Sequence, residues 1–148
     1  MRKSLLMFKK GLVLALLFTS TIQAAQKTYG NFSVTKVLKV YDGDTIRVNL
    51  ANCSPMLCNN IGIRIYGIDT PEIQGKCPNE KRLAKVARDH LRAVLKSAKI
   101  ITLKHTLRGK YFRIVGRVFA DGVDVADVLI DKQLAFRYFG GKKQSWCQ

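Results

Sequence analysis

Apolar and polar residues alternate from Phe32 to Leu50, with Val34, Val37, Leu38, Val40, Ile46 and Val48 on either side of the turn Asp42-Gly43-Asp44. This pattern predicts a hairpin-like pair of strands. Residues 51 to 60 carry the proline and asparagines of a loop, and a third strand is expected from Ile61 to Ile68. The period then changes. From Asn79 to Ala98, Leu83, Val86, Ala87, Leu91, Val94 and Leu95 fall on one helical face and Lys81, Arg82, Lys85, Arg88 and Asp89 elsewhere, with Asn79 as the expected cap. Two strands, Ile100 to Leu107 and Arg113 to Ala120, and a short helix from Val125 to Lys132 capped by Asp124 complete the pattern.

Three strands, a helix, two strands and a helix predict an α+β domain, a five-stranded barrel of the OB type with packed helices. No internal repeat or linker interrupts residues 26 to 148, so one domain is expected there.

The amino terminus reads differently. Arg2, Lys3, Lys9 and Lys10 precede the apolar run Gly11 to Phe18 and the small, polar segment ending Gln23-Ala24-Ala25. That order predicts a cleaved signal peptide over residues 1 to 25, because a membrane anchor needs about 18 consecutive apolar residues. The expectation is therefore a periplasmic or secreted protein without stable membrane association after cleavage. Removing the segment lowers the formal charge from +16 to +12. A surface this basic favours a polyanion, and charge alone does not choose between nucleic acid, anionic lipid and envelope polymer.

All four cysteines, Cys53, Cys58, Cys77 and Cys147, lie beyond that segment, and in an oxidising compartment disulfides are expected. Three connectivities are possible. The favoured one pairs Cys53 with Cys58 to close a loop, and Cys77 with Cys147 to tie down the carboxyl end. Their spacing matches no zinc pattern.

The candidate chemistry lies in carboxylates beside turns. Asp44, Asp69 and Glu72 offer the oxygen ligands that hard divalent cations take, with water and a carbonyl such as that of Thr70 to finish the shell. Arg64 and Arg113 supply guanidinium groups for the charge that a phosphodiester gathers under attack, and Glu72 is free to act as base on the attacking water. Five residues separate Arg64 from Asp69, so in a regular strand they would face opposite ways. A bend near Gly67 must bring them together.

Asp42-Gly43-Asp44-Thr45, Arg64 followed by Ile68-Asp69-Thr70-Pro71-Glu72, and Lys110-Tyr111-Phe112-Arg113 before Phe119-Ala120-Asp121-Gly122 resemble the staphylococcal nuclease (thermonuclease) family in order and approximate spacing. The resemblance covers about Val34 to Tyr138. It implies an OB-type barrel and calcium-dependent cleavage of DNA and RNA at the bond to the 5′ oxygen, leaving 3′-phosphate ends. Carried across, it implies Asp44 and Asp69 as metal carboxylates, Thr70 as carbonyl ligand and Glu72 as general base. Arg64 and Arg113 would be phosphate clamps, Lys110 and Tyr111 would hold a neighbouring phosphate, and Asp42 would support the metal carboxylates from behind. The chain departs from the family's usual Asp-Lys-Tyr-Gly-Arg by carrying Gly109 and Phe112, it lacks the last helix of longer members, and its loop with Cys53 and Cys58 is longer.

The leading expectation is a monomeric, metal-dependent nuclease without sequence preference, since phosphate contacts carry affinity without reading bases. The alternative is a non-catalytic OB module binding single strands through its basic face and Tyr66, Tyr111, Phe136 and Tyr138. A coat for anionic polymers would leave the carboxylates unexplained.

Overall fold

The computed structural model describes residues 28–147; the expected signal peptide and its cleavage point lie outside the described residues. Strands β1 (Phe32–Val40) and β2 (Thr45–Leu50) form the expected hairpin around Asp42-Gly43-Asp44. Alternation in β2 turns Ile46, Val48 and Leu50 inward and leaves Thr45, Arg47 and Asn49 half-covered. In β1 the register slips twice, which is how the consecutive apolar residues Val37 and Leu38 are accommodated.

Residues 51 to 60 are not wholly loop. A short helix, α1 (Pro55–Cys58), begins at a proline, whose fixed φ suits a first turn, and the Cys53–Cys58 disulfide closes the segment. The third strand is also shorter than expected. It ends at Ile65 as β3 (Ile61–Ile65), turns at Gly67 with φ +83°, and resumes as β4 (Ile68–Asp69). Glycine meets that left-handed φ without the clash of a Cβ.

Helix α2 (Pro78–Ser97) is capped one position before Pro78, by Cys77, whose sulfur accepts the Glu80 N–H at 3.4 Å. The expectation of Asn79 as cap is thus corrected: proline occupies the first helical position and Asn79 lies inside the helix. Ala84, Ala87, Leu91 and Leu95 form the buried stripe, whereas Val86, expected on it, is 44% exposed. Strands β5 (Ile101–Arg108) and β6 (Arg113–Ala120) follow close to their expected bounds, then β7 (Val123–Asp124), α3 (Val125–Asp131), capped by the Asp124 carboxylate as expected, and β8 (Phe136–Arg137).

Hydrogen bonding runs β3-β2-β1-β5-β6, and a parallel pairing of β3 with β6, from Gly62 opposite Arg113 to Ile65 opposite Gly116, closes the five strands into a barrel. Closure removes the strand edges. Strands β4 and β8 form a separate two-stranded ribbon. Ile46, Val48, Ile63, Ile65, Leu103 and Val118 fill the barrel, and Ala87 and Leu91 of α2 and Val125 and Leu129 of α3 join the same core.

Both favoured disulfides are present, and among the described residues no cysteine is free. The Cys77–Cys147 bridge spans 70 residues and the Cys53–Cys58 bridge five. In the chain-entropy picture the long closure contributes about 4 kcal/mol and the short one about 2 kcal/mol. Replacing Cys77 and Cys147 together by serine is therefore expected to lower the unfolding free energy by about twice as much as the same change at Cys53 and Cys58. Equal losses in denaturant titrations would show that loop length does not govern the effect.

Candidate active site

The β1–β2 turn builds one wall. Asp42 Oδ1 accepts the backbone N–H groups of Asp44 (3.1 Å) and Thr45 (2.8 Å), which fixes the turn and points Asp44 inward. Gly43 lies beneath, where a Cβ would meet Thr70 Cγ2 at 2.8 Å and Ala87 Cβ at 2.9 Å, so only glycine lets the turn press onto α2. Asp44 is buried; its Oδ2 accepts Thr70 N–H at 3.1 Å and Thr70 Oγ1–H at 2.8 Å, and its Oδ1 accepts Thr45 Oγ1–H at 3.0 Å. Asp44 and Thr70, 26 residues apart, are thus locked together.

The bend at Gly67 does what the sequence required of it. Arg64 leaves β3, contacts Asp44 directly, lies 3.6 Å from Asp69 Oδ1, and donates to the Ile68 carbonyl at 3.2 Å. Its side chain is 20% exposed, the two aspartates nearly not at all. Burial lowers the Arg64 pKa, against the pull of Asp42, Asp69 and Glu72, which favour its charged form. Burial likewise raises the Asp42 pKa, opposed by the Thr45 N–H and by Arg64.

Arg113 enters from β6. Because Gly62 stands opposite in the parallel pairing, the Arg113 stem folds across it: a Cβ on Gly62 would lie 3.0 Å from Arg113 Cγ. Among the described residues, Arg113 Nε is buried without a hydrogen-bond partner. Gly109, the departure from the family pattern, has the reason that a Cβ there would meet the Arg113 carbonyl oxygen and Val115 Cγ2, both at 2.9 Å. Tyr111 and Phe112 take left-handed φ values of 57° and 55° and are over four-fifths exposed.

Glu72 follows Pro71 on the loop between β4 and α2. Its carboxylate is half-exposed at the mouth of a cleft of about 440 Å³ lined by Tyr41, Asp42, Thr45, Arg64, Glu72, Arg113 and Lys143. Buried Glu80, at the start of α2, holds this loop by accepting Lys76 N–H at 2.8 Å and Glu72 N–H at 3.4 Å. Gly75 makes room, since a Cβ there would lie 2.5 Å from the Glu80 side chain.

Asp42, Arg64, Glu72 and Arg113 therefore share one cleft. Asp44, Asp69 and Thr70 do not line it; they are buried, and the two aspartates reach it through their contacts with Arg64 and Lys143. Lys110 and Tyr111 do not line it; Tyr111 is reached only through Arg113, whose guanidinium lies 5.8 Å from its ring centre. Of the aromatics expected to stack bases, Tyr66 packs on Phe139 with ring centres 5.6 Å apart. Phe136 is stacked on Trp146 at 4.1 Å, and the Tyr138 hydroxyl donates to the Gly141 carbonyl.

Sequence reasoning missed Lys143 and Glu80. Lys143 Nζ lies 2.7 Å from Asp69 Oδ1 and 3.2 Å from Glu72 Oε1. The signal for it was the expected Cys77–Cys147 bridge, which pins the tail that carries it beside the loop that carries Glu72.

The donor set fits a hard divalent cation. Asp44 and Asp69 offer buried carboxylate oxygens that both meet Arg64, and among the described residues Asp69 Oδ1 is met by cations with no well-directed hydrogen bond. Truncating Glu80 to alanine is expected to cost about 1–3 kcal/mol of unfolding free energy, because two loop N–H groups lose their acceptor. Unchanged stability in chemical denaturation would show that water replaces the carboxylate without loss.

The profile described as staphylococcal nuclease homologue matches residues 62–146, more than half of the chain and including Arg64, Asp69, Glu72 and Arg113. No curated protein matches the chain. With a closed five-stranded barrel, its helices and this match together, the chain belongs to the staphylococcal nuclease homologue family, whose members are generally nucleases that use a divalent metal.

Proposed function

We propose that the protein is a periplasmic or secreted, calcium-dependent nuclease that hydrolyses phosphodiester bonds of DNA and RNA without reading base or sugar and leaves 3′-phosphate ends. The observation that carries this reading is the convergence of Arg64, Arg113 and Glu72 on one cleft beside buried Asp44 and Asp69. A protein that only bound nucleic acid would gain nothing from two buried carboxylates, which repel phosphate. Phe136, stacked on Trp146, is engaged within the protein, which weighs against its serving as a base-stacking platform in the non-catalytic alternative.

In this scheme Arg64 and Arg113 hold the phosphate and absorb the charge it gathers as a fifth oxygen approaches. Glu72, exposed at the mouth, takes a proton from the attacking water as the water oxygen bonds to phosphorus; the bond from phosphorus to the 5′ oxygen breaks, and that oxygen leaves as a hydroxyl after taking a proton from solvent. Asp44 and Asp69, with the Thr70 carbonyl, would hold a divalent cation, which when bound adds charge stabilisation at the phosphoryl oxygen. Arg64 is kept in place by Asp44, Asp69 and the Ile68 carbonyl, so it reaches the substrate already oriented. Lys110 and Tyr111, exposed beside Arg113, are assigned to a phosphate farther along the strand. The lysine- and arginine-rich surface supplies attraction along that strand, and the enzyme is proposed to act as a monomer. The export assignment rests on the basic-apolar-small order of residues 1–25 and on the paired cysteines.

Glu72→Gln is expected to lower turnover about 10²- to 10⁴-fold while leaving nucleic-acid affinity nearly unchanged. A plasmid-cleavage assay checks this, and normal digestion by the variant removes Glu72 as the base. In the same assay calcium supports cleavage and a chelator abolishes it; undiminished cleavage in chelator contradicts the metal assignment. Affinity for single-stranded DNA, measured on the Glu72→Gln protein, is expected to fall steeply and log-linearly with salt. A salt-independent affinity would rule out phosphate-led binding.

A further inference from the structure

Among the residues lining the cleft, Lys143 alone comes from outside the barrel and the loops next to it. It lies on the irregular tail after β8, and two residues close to the carboxyl end set its position: Trp146, buried and stacked on Phe136, and Cys147, bonded to Cys77 at the start of α2. The Asn79 side-chain amide donates to the Trp146 carbonyl at 3.1 Å, a further tie between tail and helix. Upstream the tail is open. Gly140 and Gly141 both take left-handed φ values, and a Cβ at either would meet nothing within 4 Å. The ammonium therefore sits on a short segment with a covalent anchor on one side and, on the other, a pair of glycines with open space around them.

Lys143 pairs with Asp69 at 2.7 Å and Glu72 at 3.2 Å, one residue assigned to the metal and one to the base. Its hydrogen bond to Glu72 and its ion pair with Asp69 put one ammonium on both carboxylates at once. A hard divalent cation takes carboxylate oxygens at about 2.3–2.6 Å. Asp69 Oδ1 cannot serve such an ion and an ammonium together at these distances without placing like charges in near contact.

We propose that Lys143 is a built-in counter-cation of the site, which holds Asp69 and Glu72 until a divalent metal ion displaces it, so that the disulfide-anchored tail sets the metal affinity. This inference rests on the metal-dependent reading of the site given above. The anchor is what makes the competition effective. A free lysine in solution would compete weakly, whereas one tethered four residues from a covalent bridge acts at high local concentration. Displacement swings the ammonium about Gly140 and Gly141 to the cleft mouth and frees the Glu72 carboxylate at the same time. Arg64 differs in kind, because it is carried by β3 and not by the tail.

Calcium titration by calorimetry on the disulfide-bonded protein, without nucleic acid, tests this. Lys143→Gln is expected to bind calcium about two- to fivefold more tightly than the unaltered protein, as loss of one partly exposed competing ion pair requires. Lys142→Gln, which removes the same charge from the neighbouring position, is expected to change the affinity by less than about twofold, since only general screening is lost. The Cys77→Ser, Cys147→Ser double variant is expected to shift in the same direction as Lys143→Gln. Equal or weaker calcium binding by Lys143→Gln overturns the inference while leaving the nuclease reading intact if calcium still supports cleavage. Equal tightening by Lys142→Gln also overturns it, because net charge and not position would then be responsible. Absence of calcium binding by both the unaltered protein and Lys143→Gln overturns the inference and the metal assignment together.

Discussion

A guanidinium held between two buried carboxylates organises this protein. Arg64 touches Asp44 and faces Asp69, and each of the three comes from a different place: β3, the β1–β2 turn, and the strand after Gly67. Burying such groups is costly, and apolar residues of similar volume often stabilise a core as well or better. The cluster is therefore a weak stabilising device. Its retention makes sense if the carboxylates are ligands and the guanidinium is a phosphate clamp, tasks that no apolar side chain performs.

The surrounding fold supplies rigidity to that cluster. The parallel pairing of β3 with β6 closes the barrel and sets Arg113 across Gly62, on the same face of the sheet as Arg64. Asp42 clamps the turn that carries Asp44, and Glu80 clamps the loop that carries Glu72. Small residues appear where these parts press together. Gly43 against Thr70 and Ala87, Gly75 against Glu80, and Gly109 against Arg113 leave no room for a side chain. The candidate site is thus fixed by backbone hydrogen bonds and close contacts, with Lys143 of the tail as a further wall.

Much of this was legible in the residues, and the parts that were not have definable reasons. Period-two and period-3.6 patterns located β1, β2, β5, β6, α2 and α3, because those elements each bury one face. The bend at Gly67 was demanded by the five-residue spacing of Arg64 and Asp69, although the end of β3 at Ile65 was not. The cap of α2 was misplaced by two residues, since Asn79 is a common cap type while a disulfide sulfur is not. Val86 was assigned to the buried stripe because hydropathy alone does not show where a helix face ends. Lys143 and Glu80 escaped notice for a shared reason: a charged residue in a tail or on a helix start usually faces water, and only the long disulfide and the packing of the Glu72 loop draw these two inward. The parallel β3–β6 pairing joins segments about fifty residues apart and leaves no local trace.

The central claim is that the buried aspartates form one cation site beside the two arginines. Crystals soaked in calcium, with anomalous scattering recorded, test it most directly. The account predicts a single strong peak in contact with carboxylate oxygens of both Asp44 and Asp69, within the cleft that Arg64 and Arg113 line. Peaks confined to other acidic surfaces, with those two carboxylates bare, would contradict it.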